Sequence, residues 1–235
     1  MAYYFGFLPS TELNTALDEA NSLVKNALIK NTDDSLARDS LDSHRNHITQ
    51  LVKNELIDTM LVQIVASLPD ESERKAQLQK ICQTIATTTD KLLKTILGKA
   101  SNAEVMPSFE FLDKKTLFVD LEGKQRVGFA INDRLGHELE QCFNAIQSGN
   151  TADTPNNVAK LANLLSELTE ACMQHFLIDF TKTLNLGMLK RSTIPVAQSV
   201  INKVSNVALH KLLPQMPQEG LERIVSHYQP LIYQK

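Results

Sequence analysis

Apolar positions along the chain recur mostly at helical spacing, and their phase outlines most of the elements. After Ser10, the residues Leu13, Ala16, Leu17, Ala20, Leu23, Val24, Ala27 and Leu28 fall at three- and four-residue intervals. Ser10 is placed to cap them, so a first helix is predicted to run to about Asn31. A second, long helix is predicted over residues 35–68. Its ridge Ile48, Val52, Leu56, Met60, Ile64, Leu68 is an unbroken i+4 series, which drifts about 40° per step around an α-helix. Leu41, Ile48, Leu51 and Val52 therefore face away from Ile57, Leu61, Ile64 and Leu68, and this helix needs two different partners. Pro69 and Asp70 break it. A third helix, striped by Leu78, Ile81, Cys82, Ile85, Leu92 and Ile96, ends at Gly98 as its C-cap and is expected to pack antiparallel on the second.

Period-two alternation replaces this pattern over residues 109–131. Leu117, Val119 and Leu121 match Val127, Phe129 and Ile131 across the turn Glu122-Gly123-Lys124, and an earlier turn at Asp113-Lys114-Lys115 adds one more strand. The aromatic stretch AYYFGFL, residues 2–8, reads as a short strand able to join this meander as a fourth. Helical spacing returns over residues 134–148, 156–186, 194–213 and 218–228. The expected fold is mainly α: a long-helix up-and-down bundle with a small antiparallel β-meander. One integrated domain over residues 1–235 is expected, with the polar loop at residues 150–155 as the boundary if there are two.

Composition sharpens this picture in three places. With no Trp and 6% aromatics, the core must be built from Leu, Ile, Val and Ala. Cys82, Cys142 and Cys172 are far apart, form no CxxC and fall on apolar helix sides. They read as reduced core residues, with a reducing, cytoplasmic setting expected. The opening MAYYFGFLPSTE has no basic region before an apolar run, and no 18 apolar residues run together, so neither a secretory leader nor a membrane partner is expected. The net charge of −3 is uneven: residues 180–235 carry seven basic and two acidic groups, which leaves room for an anionic partner.

Candidate chemistry is sparse. Nucleotide-binding GxGxxG and GxxxxGK[ST] motifs are absent, as is the GxSxG of hydrolases. The stretch EACMQHFLIDF, residues 170–180, is the polar anomaly. At 100° per residue Asp179 lands in the middle of the apolar face, in line with Leu161, and His175 lies at its edge, one turn earlier. A buried carboxylate needs a partner. The first expectation is a structural pair; the sharper one makes His175 a general base oriented by Asp179, or both of them ligands for a small molecule or metal, with Cys172 and Glu170 beside them. His44 and His47, at i and i+3 near Asp39, Asp42 and Glu55, are a second candidate pair for a ligand or metal, weak without a further ligand at diagnostic spacing. Lys190, Arg191, Lys203 and Lys211 are the candidates for nucleic-acid contact, without the clustering that DNA readers display. No cofactor is indicated.

Three functions remain in order. The first is a cytoplasmic, non-enzymatic interaction or scaffold protein that self-associates, as a homodimer, or binds another protein through helical faces such as Ile194, Ala197, Val200, Ile201, Val204, Val207 and Ala208. The second is a helical bundle, an enzyme included, that binds a ligand or metal around His175 and Asp179. The third is a nucleic-acid module using the basic last quarter.

Overall fold

The computed structural model describes residues 2–30, 38–66, 73–149 and 154–235. Its elements are β1 (Tyr3–Phe7), α1 (Thr11–Lys30), α2 (Arg38–Ile57), π1 (Asp58–Val62), α3 (Gln63–Ala66), α4 (Glu73–Ile96), α5 (Asn102–Phe111), π2 (Leu112–Thr116), β2 (Leu117–Val119), β3 (Gln125–Ile131) and α6 (Asp133–Gln147). The second half continues with α7 (Thr154–Met173), π3 (Gln174–Asp179), α8 (Phe180–Lys182), α9 (Met188–Arg191), α10 (Thr193–Val207), π4 (Ala208–Leu212), α11 (Gln218–Tyr228) and β4 (Ile232–Gln234). The protein is mainly α, with a small four-stranded antiparallel sheet in the order β2-β3-β1-β4.

The N-terminal strand joins the sheet as expected, in register Phe5 opposite Phe129 and Tyr3 opposite Ile131. Two features of the sheet differ from expectation. Phe109, expected in a first meander strand, lies in α5, because Ser101 and Glu104 form a reciprocal capping box that starts a helix there. The third partner is instead β4, paired with β1 through Tyr4 and Tyr233. The predicted hairpin holds only at its turn end, where Leu117 faces Val127 and Val119 faces Gln125. Gly123 turns it with φ 79°, and Asp120 accepts from the Lys124 amide and from Arg126 Nε at 2.9 and 2.7 Å. Gly128 serves close approach rather than the turn: a Cβ there would meet the Phe5 carbonyl oxygen at 2.0 Å. The sheet packs on α6 and buries Phe5, Val127 and Ile131.

Among the helices the predicted faces largely bury. Leu13, Ala16, Leu17 and Ala20 of α1 sit against α2, with the Ser10 hydroxyl accepting from the Leu13 amide at 3.1 Å. On α4 the stripe Leu78, Ile81, Cys82, Ile85, Leu92, Ile96 is buried, but the helix packs chiefly on α10 and only in part on α2. Gly98 has no left-handed backbone; its carbonyl accepts from Arg45 Nη2 at 2.9 Å. The large buried cluster draws on residues from Tyr3 to Ile232, while Leu92, Leu93, Ile96, Leu177, Leu184, Leu186 and Ala197 form a second, smaller one. All three cysteines are free and buried. The predicted helix start at residue 35, the break at Pro69 and Asp70, and most of the loop at residues 150–155 lie outside the described residues. No helix among the described residues is long and apolar enough to cross a membrane.

What periodicity did not foretell is that the long helices are not α-helical throughout. Segments π1, π2, π3 and π4 each interrupt or end one with wider, i→i+5 turns. Each wider turn retards the helical phase, so the face presented beyond it changes.

Candidate functional site

An elongated cavity of about 190 Å3 lies between α2, α4, α5, α7 and α10. The ridge noticed in the sequence forms one wall: Ile48, Val52, Leu56 and Met60 all line it. From Arg45 to Leu61 the lining of α2 and π1 extends along sixteen residues, about 24 Å at helical rise. The opposite walls are Ile85 and Leu93 from α4, Phe109 and Phe111 from α5, Cys172 and Met173 from α7, and Ile201 from α10.

All four π segments contribute to this cavity: Met60 and Leu61 from π1, Leu112 and Thr116 from π2, Phe176 and Leu177 from π3, Ala208 and Leu209 from π4. π turns are rare and sit disproportionately at functional sites. Physically, they let helices bend and reset their faces around a space that straight α-helices would close. α11 contributes Tyr228 to the lining. There the Tyr228 hydroxyl donates to the Met60 carbonyl at 2.7 Å, and His227 Nε2 meets the Thr59 carbonyl at 2.5 Å. A carbonyl only accepts, so Nε2 carries the proton.

Polar side chains line the cavity too. Arg45 is buried and held by Asp42, by Asn46 Oδ1 at 2.9 Å and by the Gly98 carbonyl; desolvation lowers its affinity for the proton, against the opposing charge of Asp42. Lys53 Nζ pairs with Asp90 Oδ1 at 2.7 Å. The Thr49 and Thr89 hydroxyls donate to the carbonyls of Arg45 and Ile85 in their own helices. Burial pushes the Cys172 thiol and the Tyr228 phenol far up, so neither ionises near neutral pH.

His175 and Asp179 exchange the places that helical angles gave them. His175 is buried, 9% exposed, and Asp179 has 35% of its side chain in solvent. The cause is π3, which carries both residues: its slipped phase turns Leu177 and Thr181 inward and Asp179 outward as the helix passes from the large cluster to the small one. Asp179 Oδ1 accepts from Gln174 Nε2 at 2.8 Å and Lys182 Nζ at 2.7 Å. Partial burial works against its ionisation, but these bonds and the Lys182 charge hold its carboxyl below the usual range. His175 stacks on Phe129 at 4.6 Å and Phe111 at 5.0 Å, with Nε2 3.0 Å from Thr116 Oγ1. Desolvation lowers its pKa to about 4, opposed by the charge of Asp179. No hydrogen bond joins the two among the described residues; His175 stands behind the cavity wall, which it supports through Thr116, Phe111 and Phe176.

The remaining candidates are dispersed. His44 is half-buried, 3.6 Å from Glu19, and His47 is exposed. Glu55 is engaged with Ser10 and Asp42 with Arg45. Lys190 and Arg191 lie on α9, Lys203 on α10 and Lys211 on π4, all exposed. Among the described residues no three His, Cys, Asp or Glu side chains come together as a metal site. Glu170 is exposed and points away from the cavity lining that includes Cys172.

Two measurements check this placement. With a folded pKa near 4 against an ordinary 6.5, His175 stays neutral in the native protein while the unfolded chain takes up a proton, so its contribution is intact above pH 6.5 and lost as pH falls toward 4. That loss amounts to roughly 3 kcal/mol. Urea melts at neutral pH and near pH 4 are expected to differ by this much less in His175→Phe than in the parent protein. Asp179→Leu removes only a half-exposed ion pair, so its stability at neutral pH is expected to change by no more than about 1 kcal/mol; a larger loss would restore Asp179 to the core. Compared with known proteins, the chain matches no family model, no curated protein and no solved structure.

Proposed function

We propose that this protein binds a small, mostly apolar ligand in the cavity between α2, α4, α5, α7 and α10. The observation that carries the reading is the convergence, among the described residues, of the four π segments on that one space. Energetics support it. An apolar wall of this extent left without a partner forgoes packing and hydrophobic contacts that a filling ligand would make. Engineered apolar cavities of roughly 150 Å3 already take up benzene. Binding suits the walls better than catalysis does: the lining holds no His, Asp or Glu, and its Cys and Tyr stay protonated.

The neutral fluorophore N-phenylnaphthylamine tests this. Its emission is expected to rise saturably on titration with the protein, and Val52→Trp, which places an indole in the cavity from a half-buried position, is expected to abolish the rise while preserving or raising the melting temperature. Absence of uptake by the parent protein would refute the reading.

A second reading, self-association or docking to another protein, draws on a different observation. Met188 and Leu189 are each 87% exposed, and Val196 nearby is 64% exposed; such apolar groups on one short stretch are unusual for a surface that meets only water. Light scattering across a concentration series is expected to give more than one chain mass for the parent protein and a single chain for Leu189→Asp. A parent protein monomeric at high concentration removes the self-association.

A further inference from the structure

The charges on the cavity wall have one sign. Arg45 and Lys53 line it, and no carboxylate does; their partners Asp42 and Asp90 stand outside the lining. Both cations lie on α2, about 12 Å apart along it, and the lining beyond Lys53 toward Tyr228 carries no ion. The space is therefore apolar over most of its wall, and the two charged side chains that line it are both cations of α2.

The two cations are not equivalent. Arg45 is consumed by Asp42, Asn46 and Gly98 in a dry setting. Lys53 has one partner among the described residues, Asp90, while an ammonium has three donors. The exposures of this pair differ: the Lys53 side chain is 11% exposed and that of Asp90 42%. Lys53 lines the cavity while its ammonium is held by Asp90, and Asp90, if displaced by an anion in the cavity, would return to water at little cost, because 42% of its side chain is already exposed. The neighbouring Thr49 and Thr89 hydroxyls have committed their protons to helix carbonyls, which leaves Lys53 as the donor for an anionic head.

Resting on the cavity reading, we propose that the ligand is a single-chain amphiphile with a carboxylate head: the carboxylate seats on Lys53 Nζ, and the alkyl tail runs between Leu56, Met60 and Met173 toward Tyr228. A linear acid of medium length meets both the Lys53 cation and the apolar wall, whereas a compact aromatic or a neutral oil meets only the wall.

Displacement of N-phenylnaphthylamine by decanoate and by decanol separates head from tail. Decanoate is expected to compete more strongly than decanol, roughly ten- to hundredfold, as suits a charge-assisted hydrogen bond in a sheltered site. Lys53→Met is expected to erase that preference and leave decanol competition unchanged. Asp90→Asn, which frees the ammonium at a position half in solvent, is expected to keep or strengthen decanoate binding, and it guards against a Lys53 variant that merely folds poorly. Equal competition by decanoate and decanol in the parent protein overturns the proposal, as does a decanoate preference that survives Lys53→Met. The cavity reading fails separately, by absence of fluorophore uptake.

Discussion

The hydrogen bonds from Tyr228 and His227 to the carbonyls of Met60 and Thr59 tie α11 to the first π turn, and the shape of the interior follows from that tie. A π turn aligns its own ladder less well than an α turn, and buried backbone groups demand partners. Side chains from an element more than 160 residues away in sequence supply them for π1. With π1 held, the ridge of α2 continues into Met60 and Leu61 along the cavity instead of rotating out of it. The same contact shapes the wall, since Tyr228 is itself part of the lining. Support for the widened turn and part of the cavity wall are thus one arrangement.

Legibility from sequence divides along the same line. Helix existence and faces were readable wherever the helix remained α: the stripes of α1, α4 and α6 depend only on 3.6-residue periodicity, and they bury as periodicity requires. The β1 strand was readable from its aromatics. Three things were missed. The helix at Asn102–Phe111 carried a readable signal, Ser101 followed three residues later by Glu104, which the alternation of the neighbouring stretch outweighed. The short strand β4 has too few residues for a period of its own and exists because β1 offers it an edge. The π segments leave no simple residue signature, and that one omission inverted the roles of His175 and Asp179, because extrapolating 100° per residue across π3 puts Asp179 on the apolar face.

The inversion also explains why the polar anomaly in EACMQHFLIDF is less expensive than it looked. An ionised aspartate at the centre of a core would need a dedicated counter-charge. The structure instead buries the imidazole, which can be neutral, among Phe111, Phe129 and Phe176, and leaves the carboxylate where Lys182 and water solvate it. Desolvation does the selecting: of the two groups, only histidine reaches a neutral form at physiological pH with a small shift. The aromatic stack then stiffens the wall made by Phe111 and Phe176, so His175 bears on the cavity through packing.

The candidate site had a sequence trace of a different kind. An i+4 apolar ridge as long as Ile48 to Met60 drifts around a straight helix and calls for two partners. Here α1, α5 and α4 pack on α2, and the ridge from Ile48 to Met60 faces the cavity that α4, α5, α7 and α10 also line. A lysine one residue after Val52 on that ridge was unremarkable in the sequence, where charged residues mark solvated faces by default. It becomes informative only when the ridge is seen to face a cavity, since a cation at the wall of an apolar space whose counter-ion stands outside the lining has a chemical preference that a surface lysine lacks. In the proposed site, specificity comes from a sheltered cation set in a mostly apolar wall, which a ligand with both characters meets best.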